Sequence, residues 1–509
     1  MRRILFAAIV SATLALNAQT DVDAIRLSRV GAGGTSRALA MGGAFGAVGA
    51  DVSSAAYNPS GLALFRKGEF SFSGGLKFVN NSAEIYNTKT SLPDLRFVFN
   101  NFGLALAWDS SQDPESRHVL AFSSTQVQNF SNSVRMSGYT NNSSIARDMQ
   151  NLASQQRSPS TLNYAYEGLG FEAFLLDTFN GQYISLLDTK RTVLQRRDLL
   201  QAGRQNDLNI SYAYSYKDKY YIGASLGIPR VEYESAVSHT EFDDNDSMRI
   251  VFTSPDTYTH TFVDDFPGLN NYYANMGAFH SLEFIEYFKT TGTGYNLKLG
   301  GIARVNDMLR LGFYYHTPTI YRLTDIYFSQ LSVYFDKDPG IEELASDPVD
   351  GTARFEYRLV TPSRIGINSA FIFNKAAVVS VDYEMINYRK AQFSSRSIDD
   401  FAGVNELIGD KYSAGHNVKV GAEINVNPLM FRAGYAMLGS PFGDAFTGDF
   451  VRHTFSLGAG IRPGSSFYID LVWLTRLSSE NYFLFTTLNT GSRINFNSSM
   501  LGATAGIRF

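Results

Sequence analysis

The chain contains no cysteine. Disulfides, thiolate metal centres and a lipid anchor on a leading cysteine are thereby excluded. Long apolar runs are the second absence. Beyond the extreme N-terminus no stretch reaches the roughly 18 apolar residues that a membrane helix needs. Excess charge is missing too: 44 Lys and Arg stand against 48 Asp and Glu, a net of −4. That balance gives no reason to expect a nucleic-acid partner. Trp occurs only twice, yet 39 Phe and 29 Tyr bring the aromatic content to 14%. The mean hydropathy of −0.13 is that of a soluble chain. It is equally that of a transmembrane barrel, in which only alternate residues meet lipid. Aromatics at this density suit girdles at two membrane interfaces.

The N-terminus reads as a secretory signal over residues 1–18. Arg2 and Arg3 precede an apolar stretch from Ile4 to Leu16, too short to span a bilayer, and Ala18 offers a small residue for cleavage. The C-terminus is as telling. Leu501, Ala503, Ala505, Ile507 and Phe509 share one face of a strand, and Gly502, Thr504, Gly506 and Arg508 the other. A final strand that ends on an aromatic is expected where the last strand must pair with the first, because an open edge is not tolerated in lipid.

Period-two alternation recurs through the chain. It begins with Phe70, Phe72, Leu76 and Phe78 and continues through Leu95, Phe97 and Phe99. Parity shifts at Asn100-Asn101 and resumes with Phe102, Leu104, Leu106 and Trp108, as in one long strand with a bulge. A weaker strand covers His118 to Phe130. Further on, paired runs flank tight turn sequences such as Lys217-Asp218-Lys219, Asn306-Asp307, Asn374-Lys375, Asn427-Pro428 and Pro463-Gly464. The pattern predicts an all-β fold of 14 antiparallel strands over residues 69–509, with short turns alternating with long connections. That is a transmembrane β-barrel with short periplasmic turns and long outer loops, the longest at about 131–206 and 236–291. Lys77, Arg304, Arg310, Arg364, Asp382, Lys419, Glu423, Arg432 and Asp470 fall opposite the apolar rows. Arg or Lys facing mid-bilayer lipid costs about 2–4 kcal/mol, so these groups are placed in the lumen, as a network that ties strands and plug together.

Residues 19–68 are not strand-like. The run from Ala38 to Ala50 is dense in Gly and Ala, which permits close backbone packing. Asp51 follows, then Tyr57-Asn58-Pro59-Ser60-Gly61, a turn sequence. A compact segment placed before the first strand starts on the periplasmic side and is positioned to fold back into the lumen.

The stretch from Ala38 to Leu64, with Asp51 and Asn58-Pro59, resembles the N-terminal hatch of the FadL/TodX long-chain fatty acid and hydrocarbon transporters. Thr361-Pro362-Ser363 leading into Arg364-Ile365-Gly366, and Phe431 to Tyr435, are similar to that family as well. The usual residue after Asn-Pro in the family is Ala; Ser60 stands there in this chain. The resemblance implies a 14-stranded barrel in a Gram-negative outer membrane and a terminal Phe read by the barrel-assembly machinery. It also implies passage of a hydrophobic substrate from an outer groove, past a shifting hatch, to a gap in the wall. Asp51, Tyr57, Asn58, Pro59 and Gly61 would shape the hatch turn.

The outer connections carry apolar stripes. Ile145, Met149 and Leu152 recur at helical spacing. Phe171, Phe174, Leu175 and Phe179, with Leu282, Ile285 and Phe288, are candidates for a greasy landing groove. Other motifs carry less. Gly223-Ala-Ser225-Leu-Gly227 has the hydrolase spacing but sits mid-strand rather than at a strand-to-helix turn. Asp243-Asp244-Asn245-Asp246 lacks the Gly and distal Glu of a calcium loop. The seven His never pair at metal-ligand spacing. No catalytic residue, metal or cofactor is expected. The expected function is passive transport of fatty acids or aromatic hydrocarbons, with outer-membrane lipid around the wall. The alternatives are a docking barrel of a secretion or surface-attachment apparatus, and a channel for haem or small solutes.

Overall fold

The computed structural model describes residues 20–509 except 32, 112, 114, 142, 180, 186, 188–191, 245–250, 255–256, 260–277, 338–339, 347–352, 375, 396–400, 444–449, 465 and 488–490. The signal reading of residues 1–18 lies outside the described residues.

Fourteen strands form the wall: β1 Glu69–Ile85, β2 Thr88–Asp109, β3 Arg117–Asn129 continued by Asn132–Thr140, β4 Val193–Tyr216, β5 Tyr220–Phe242, β6 Ala278–Arg304 and β7 Leu309–His316 continued by Ile320–Lys337. The remainder are β8 Ala353–Val360 continued by Arg364–Phe373, β9 Ala377–Asn387, β10 Ala414–Val426, β11 Leu429–Leu438, β12 Arg452–Ile461, β13 Phe467–Phe483 and β14 Gly491–Arg508. Each pairs antiparallel with its neighbours in sequence, and β14 pairs back onto β1 from Glu69 opposite Arg508 to Glu84 opposite Arg493. The sheet therefore closes on itself as a cylinder. Closure is completed at the rim, where the Phe509 N–H donates to the Gly68 carbonyl over 3.0 Å.

The outer face carries exposed large hydrophobics all round, among them Phe72, Leu95, Trp108, Ile222, Leu297, Phe313, Ile367, Trp473 and Leu501. Facing inward from the same strands are buried polar groups, including Ser71, Asn101, Ser123, Asn209, Ser211, Asp382, Arg432, Asp470 and Thr504. This polarity is inverted relative to a globular core and is what lipid outside and water inside require. The parity break at Asn100-Asn101 is a bulge: Ser73 pairs with Asn101 and Gly74 with Phe99, leaving Asn100 without a partner residue on β1.

The strands run further outward than their apolar stretches. β5 extends to Phe242 and β6 begins at Ala278, so the segments around 194–206 and 236–242, expected in loops, are strand. Their outward side chains are mixed or charged (Arg204, Glu232, Lys289), which hides the alternation. The connection between β1 and β2 is a two-residue turn, with Tyr86 and Asn87 both at positive φ. On the outer side, helices α3 (Ile145–Ala153) and α4 (Glu167–Glu172) pack with strand ends into a core that includes Met149, Leu169, Phe284, Leu331 and Phe485.

Candidate functional site

The segment before β1 occupies the lumen. It comprises helix α1 (Asp21–Ser28), helix α2 (Ser36–Ala40) and two short 3₁₀ turns at Val52–Ala55 and Pro59–Leu64. Glycines of the wall make its docking sites. Gly223 of β5 and Gly300 of β6 are direct cross-strand partners. A Cβ on Gly300 would lie 1.8 Å from Asn58 Oδ1, and one on Gly223 2.4 Å from the carbonyl carbon of Pro59. Gly421 and Gly434, partners on β10 and β11, do the same for Met41 and Gly42. Each pair leaves a window one side chain deep, filled by the segment's backbone at Gly223, Gly421 and Gly434 and by the Asn58 side chain at Gly300. The hydrolase-like spacing around Ser225 is thereby explained: Gly223 belongs to a window, and the Ser225 hydroxyl is bonded to Ser211 at 2.6 Å.

Within the segment the motif residues hold one another. Asn58 Oδ1 accepts from the Ser60 N–H at 3.2 Å and the Ser60 hydroxyl at 2.6 Å, so the departure from Ala adds a bond. Its Nδ2 donates to the Gly46 carbonyl at 2.8 Å and reaches the Phe313 carbonyl of β7 at 3.4 Å. Asp51 accepts from the Thr35 hydroxyl at 2.7 Å and the Ser53 N–H at 2.9 Å. Tyr57 donates its hydroxyl to the Gly33 carbonyl at 2.5 Å, while its own carbonyl lies 2.8 Å from Nε2 of His316. Burial pushes the Tyr57 phenol above its usual range, so it remains a donor. Gly61 donates to the Asn58 carbonyl and accepts from Ala50, closing the turn.

The inward charges meet the segment and each other. Asp382 accepts the Phe45 and Gly46 amides at 3.0 and 2.8 Å. Arg37 forms a two-point pair with Glu423 at 2.8 and 2.9 Å. Glu423 also takes Arg432 at 2.6 Å, and Arg432 takes Asp470 at 2.6 Å. Arg310 donates to the Val48 carbonyl at 3.2 Å. The expected lumen network is thus a chain of charge-assisted bonds from segment to wall.

Higher in the lumen, α1 sits in an aromatic chamber. Ala24, Ile25 and Leu27 pack with Phe130, Tyr233, Tyr321, Tyr357, Phe393 and Phe401, contributed by several strands and the outer connections. The Arg26 guanidinium lies 4.1 Å over the Tyr233 ring. Asp21 is held by Tyr412 at 2.5 Å and Lys411 at 2.7 Å, and Arg29 donates to the carbonyls of Leu438, Gly439 and Phe450.

The wall is interrupted between β2 and β3. They pair only from Asn101 opposite Thr125 to Asp109 opposite Arg117. Above that level β3 steps inward at Phe130-Ser131 and keeps its pairing with β4 alone. Lys77, inward on β1, braces the step by donating to Asn129 Oδ1 at 2.9 Å and the Ser131 carbonyl at 2.7 Å. A cavity of about 300 Å³ fills the interruption, lined by Arg96 to Phe99 of β2, by Gln126, Asn129 and Ser131 of β3, and by Glu232 and Glu234 of β5. Phe97 on its edge is 71% exposed. The β3 register slips between Gln126 and Gln128, and the carbonyl of the skipped Val127 accepts the Gly31 amide of the segment at 3.1 Å.

The outer groove candidates do not converge on one open surface. Leu175 and Leu282 are buried in the core around α3 and α4, and Phe171 packs against it. Phe288 instead packs against the aromatic chamber, and Ile285 points to the opposite face of β6 from both Leu282 and Phe288. Phe174 is exposed. Phe179 ends a short strand, Leu176–Phe179, and its side chain lies outside the described residues. The helical spacing at Ile145 and Met149 is helix α3, with both residues fully buried. Asn245 and Asp246 of the acidic run lie outside the described residues. Among the described residues no cluster of three or more His, Cys, Asp or Glu is arranged to hold a metal.

A closed apolar-faced cylinder with an occupied polar lumen defines an outer-membrane β-barrel. Its particular fold is that of the FadL and TodX transporters. The chain superposes on a crystal structure of a Pseudomonas aeruginosa FadL homologue with a TM-score of 0.53 and 13% identity, over 95% of this chain and 100% of the other. The Pseudomonas putida toluene transporter TodX matches with a TM-score of 0.50 and 15% identity, over 94% of this chain and 99% of the other. No family model matches the sequence, and no curated protein matches it.

Proposed function

We propose that this barrel carries hydrophobic small molecules, fatty-acyl or aromatic, passively across the outer membrane of a Gram-negative bacterium. The observation that carries the reading is the interruption between β2 and β3, tied by one backbone bond to the lumen segment. Residues 19–68 act as the plug. The apolar side of α1 stands in for substrate: Ala24, Ile25 and Leu27 fill a chamber of aromatic rings, and an acyl chain or arene would make the same contacts. Displacing α1 frees Gly31 from Val127, so occupancy of the chamber is transmitted to the wall where a molecule would leave sideways into lipid. The TodX structure is described as a toluene transporter, which agrees with an aromatic cargo. Phe509, exposed at the rim, would be the residue that the barrel-assembly machinery reads. No step calls for a catalytic group or an energy source.

The test is uptake of labelled oleate and of toluene by cells carrying or lacking the chain, with and without a collapsed proton gradient. Chain-dependent uptake that ignores the gradient supports the reading; equal uptake in both strains ends it. The closed packing of Leu175 and Leu282 favours a second reading, a docking barrel whose outer face binds protein. Co-purification of one stoichiometric protein, with no chain-dependent uptake, would select it.

A further inference from the structure

Just outward of the apolar belt, three arginines stand in line on the outer face. Arg322 of β7 and Arg358 of β8 are direct cross-strand partners, and Thr293 of β6 lies between Arg322 and Arg230 of β5. All three arginines are exposed. One ladder step nearer the periplasmic turns, the same strands present Ile228, Tyr295, Ile320 and Val360. The row therefore marks the level where hydrocarbon gives way to headgroups. Like charges directly opposite each other on a sheet are destabilising. The carboxylates at hand do not relieve them. Glu356 is paired with Arg354 at 3.0 Å, and Glu232 and Glu234 with Lys289 at 3.8 and 2.5 Å. Among the described residues none of the three arginines has an ion-pair partner.

We propose that Arg230, Arg322 and Arg358 bind the phosphate groups of a phosphorylated glycolipid in the outer leaflet, whose acyl chains lie along Ile228, Tyr295 and Ile320. A phosphate bridging Arg322 and Arg358 turns their repulsion into a two-sided charge-assisted bond, and the planar guanidinium is suited to that geometry. The apolar residues immediately below select an anion that carries hydrocarbon over a free one. The site faces away from the lumen and stands apart from the transport reading.

The test is native mass spectrometry of the detergent-purified full chain with a bisphosphorylated lipid A, its dephosphorylated form, and inorganic phosphate as competitor. The phosphorylated lipid should bind, and the Arg322→Gln/Arg358→Gln pair should weaken it about tenfold or more. Arg354→Gln, which removes equal charge per site nearby, should leave binding unchanged. The dephosphorylated lipid should fail on the unaltered chain, a comparison that needs no variant to fold. The proposal is overturned if the dephosphorylated lipid binds as well, if Arg354→Gln weakens binding as much, or if inorganic phosphate displaces the lipid.

Discussion

The two halves of the lumen segment are held in different ways. The lower half, from Thr35 to Leu64, is fixed to the wall itself. Its backbone lies in the windows at Gly223/Gly300 and Gly421/Gly434, its amides are capped by Asp382, Thr504 and Ser456, and Arg37 is clamped to Glu423. The upper half, α1 and the residues to Gly31, is fixed mainly to side chains and outer connections: Tyr412, Lys411 and the carbonyls of Gly439 and Phe450. Away from the interruption between β2 and β3, strands in a closed barrel cannot shift singly, because each is bonded on both sides. Outer connections can. If the proposed transport holds, the difference makes the lower half a fixture and the upper half the part that a ligand would replace.

The comparison can be broken most severely at Arg432. Removing it as Arg432→Ala strands Asp470 in the buried lumen and leaves Glu423 to Arg37 alone, and loss of one partner of such a buried pair costs about 3–5 kcal/mol. A lowered temperature for the heat-induced gel-mobility shift of the barrel should report it; an unchanged temperature would mean the network carries no load.

Filling a window should be milder. Gly300→Val places methyl groups where Asn58 lies and should cost about 1–3 kcal/mol by overpacking. Protease cleavage within residues 35–65 should rise while β-sheet circular dichroism is kept. Cleavage that stays as in the parent would show that the window is not what seats the turn.

Asn58→Ala removes an acceptor shared by the Ser60 amide and hydroxyl, a loss of about 1–3 kcal/mol for the groups left unpaired. The parallel substitution Ser60→Ala deletes only the hydroxyl bond, restores the residue usual in the resembled family, and should cost about 1 kcal/mol or less. Hydrogen exchange at the Gly61 amide would rank the two, and a reversed order would contradict the role of Asn58 as the centre of the turn.

Deleting residues 21–28 should affect the wall least. The unfolding temperature of the barrel is expected to stay where it is. Binding of a fluorescent fatty acid to the aromatic chamber should tighten, because the ligand no longer competes with α1. A barrel that melts early, or one whose ligand affinity falls, would erase the distinction between the two halves.

Much of the wall was readable from one sequence. Lipid imposes alternation on each crossing strand, and the slip at Asn100 is visible because a bulge changes parity. Alternation faded where lipid ends. Above the belt both faces of β5 and β6 tolerate charge, so Glu232 and Lys289 read as approaching loops although they are strand. The motif at Asn58-Pro59 was recognisable because it is local. Its seat was not, since Gly223 and Gly300 are far apart in sequence and meet only through cross-strand register. The packing of Leu175 and Leu282 was hidden for a related reason. A run of apolar residues looks the same whether it faces a ligand or, like Leu175 and Leu282, a neighbouring helix. The step in β3 gave a weak signal at most: a run of polar residues from Gln126 to Ser133, broken by Val127 and Phe130, interrupts an otherwise apolar-faced strand.

Under the proposed function, the amide bond from Gly31 to Val127 would set an order of events. The same residue joins α1 to the lower half of the segment and bonds to the step in β3, so the proposed transport requires the side door to stay shut until the vestibule is claimed. If the proposed transport holds, such an arrangement would behave as an airlock, admitting cargo one load at a time and keeping the membrane tight in between, with no moving part larger than a helix of two turns.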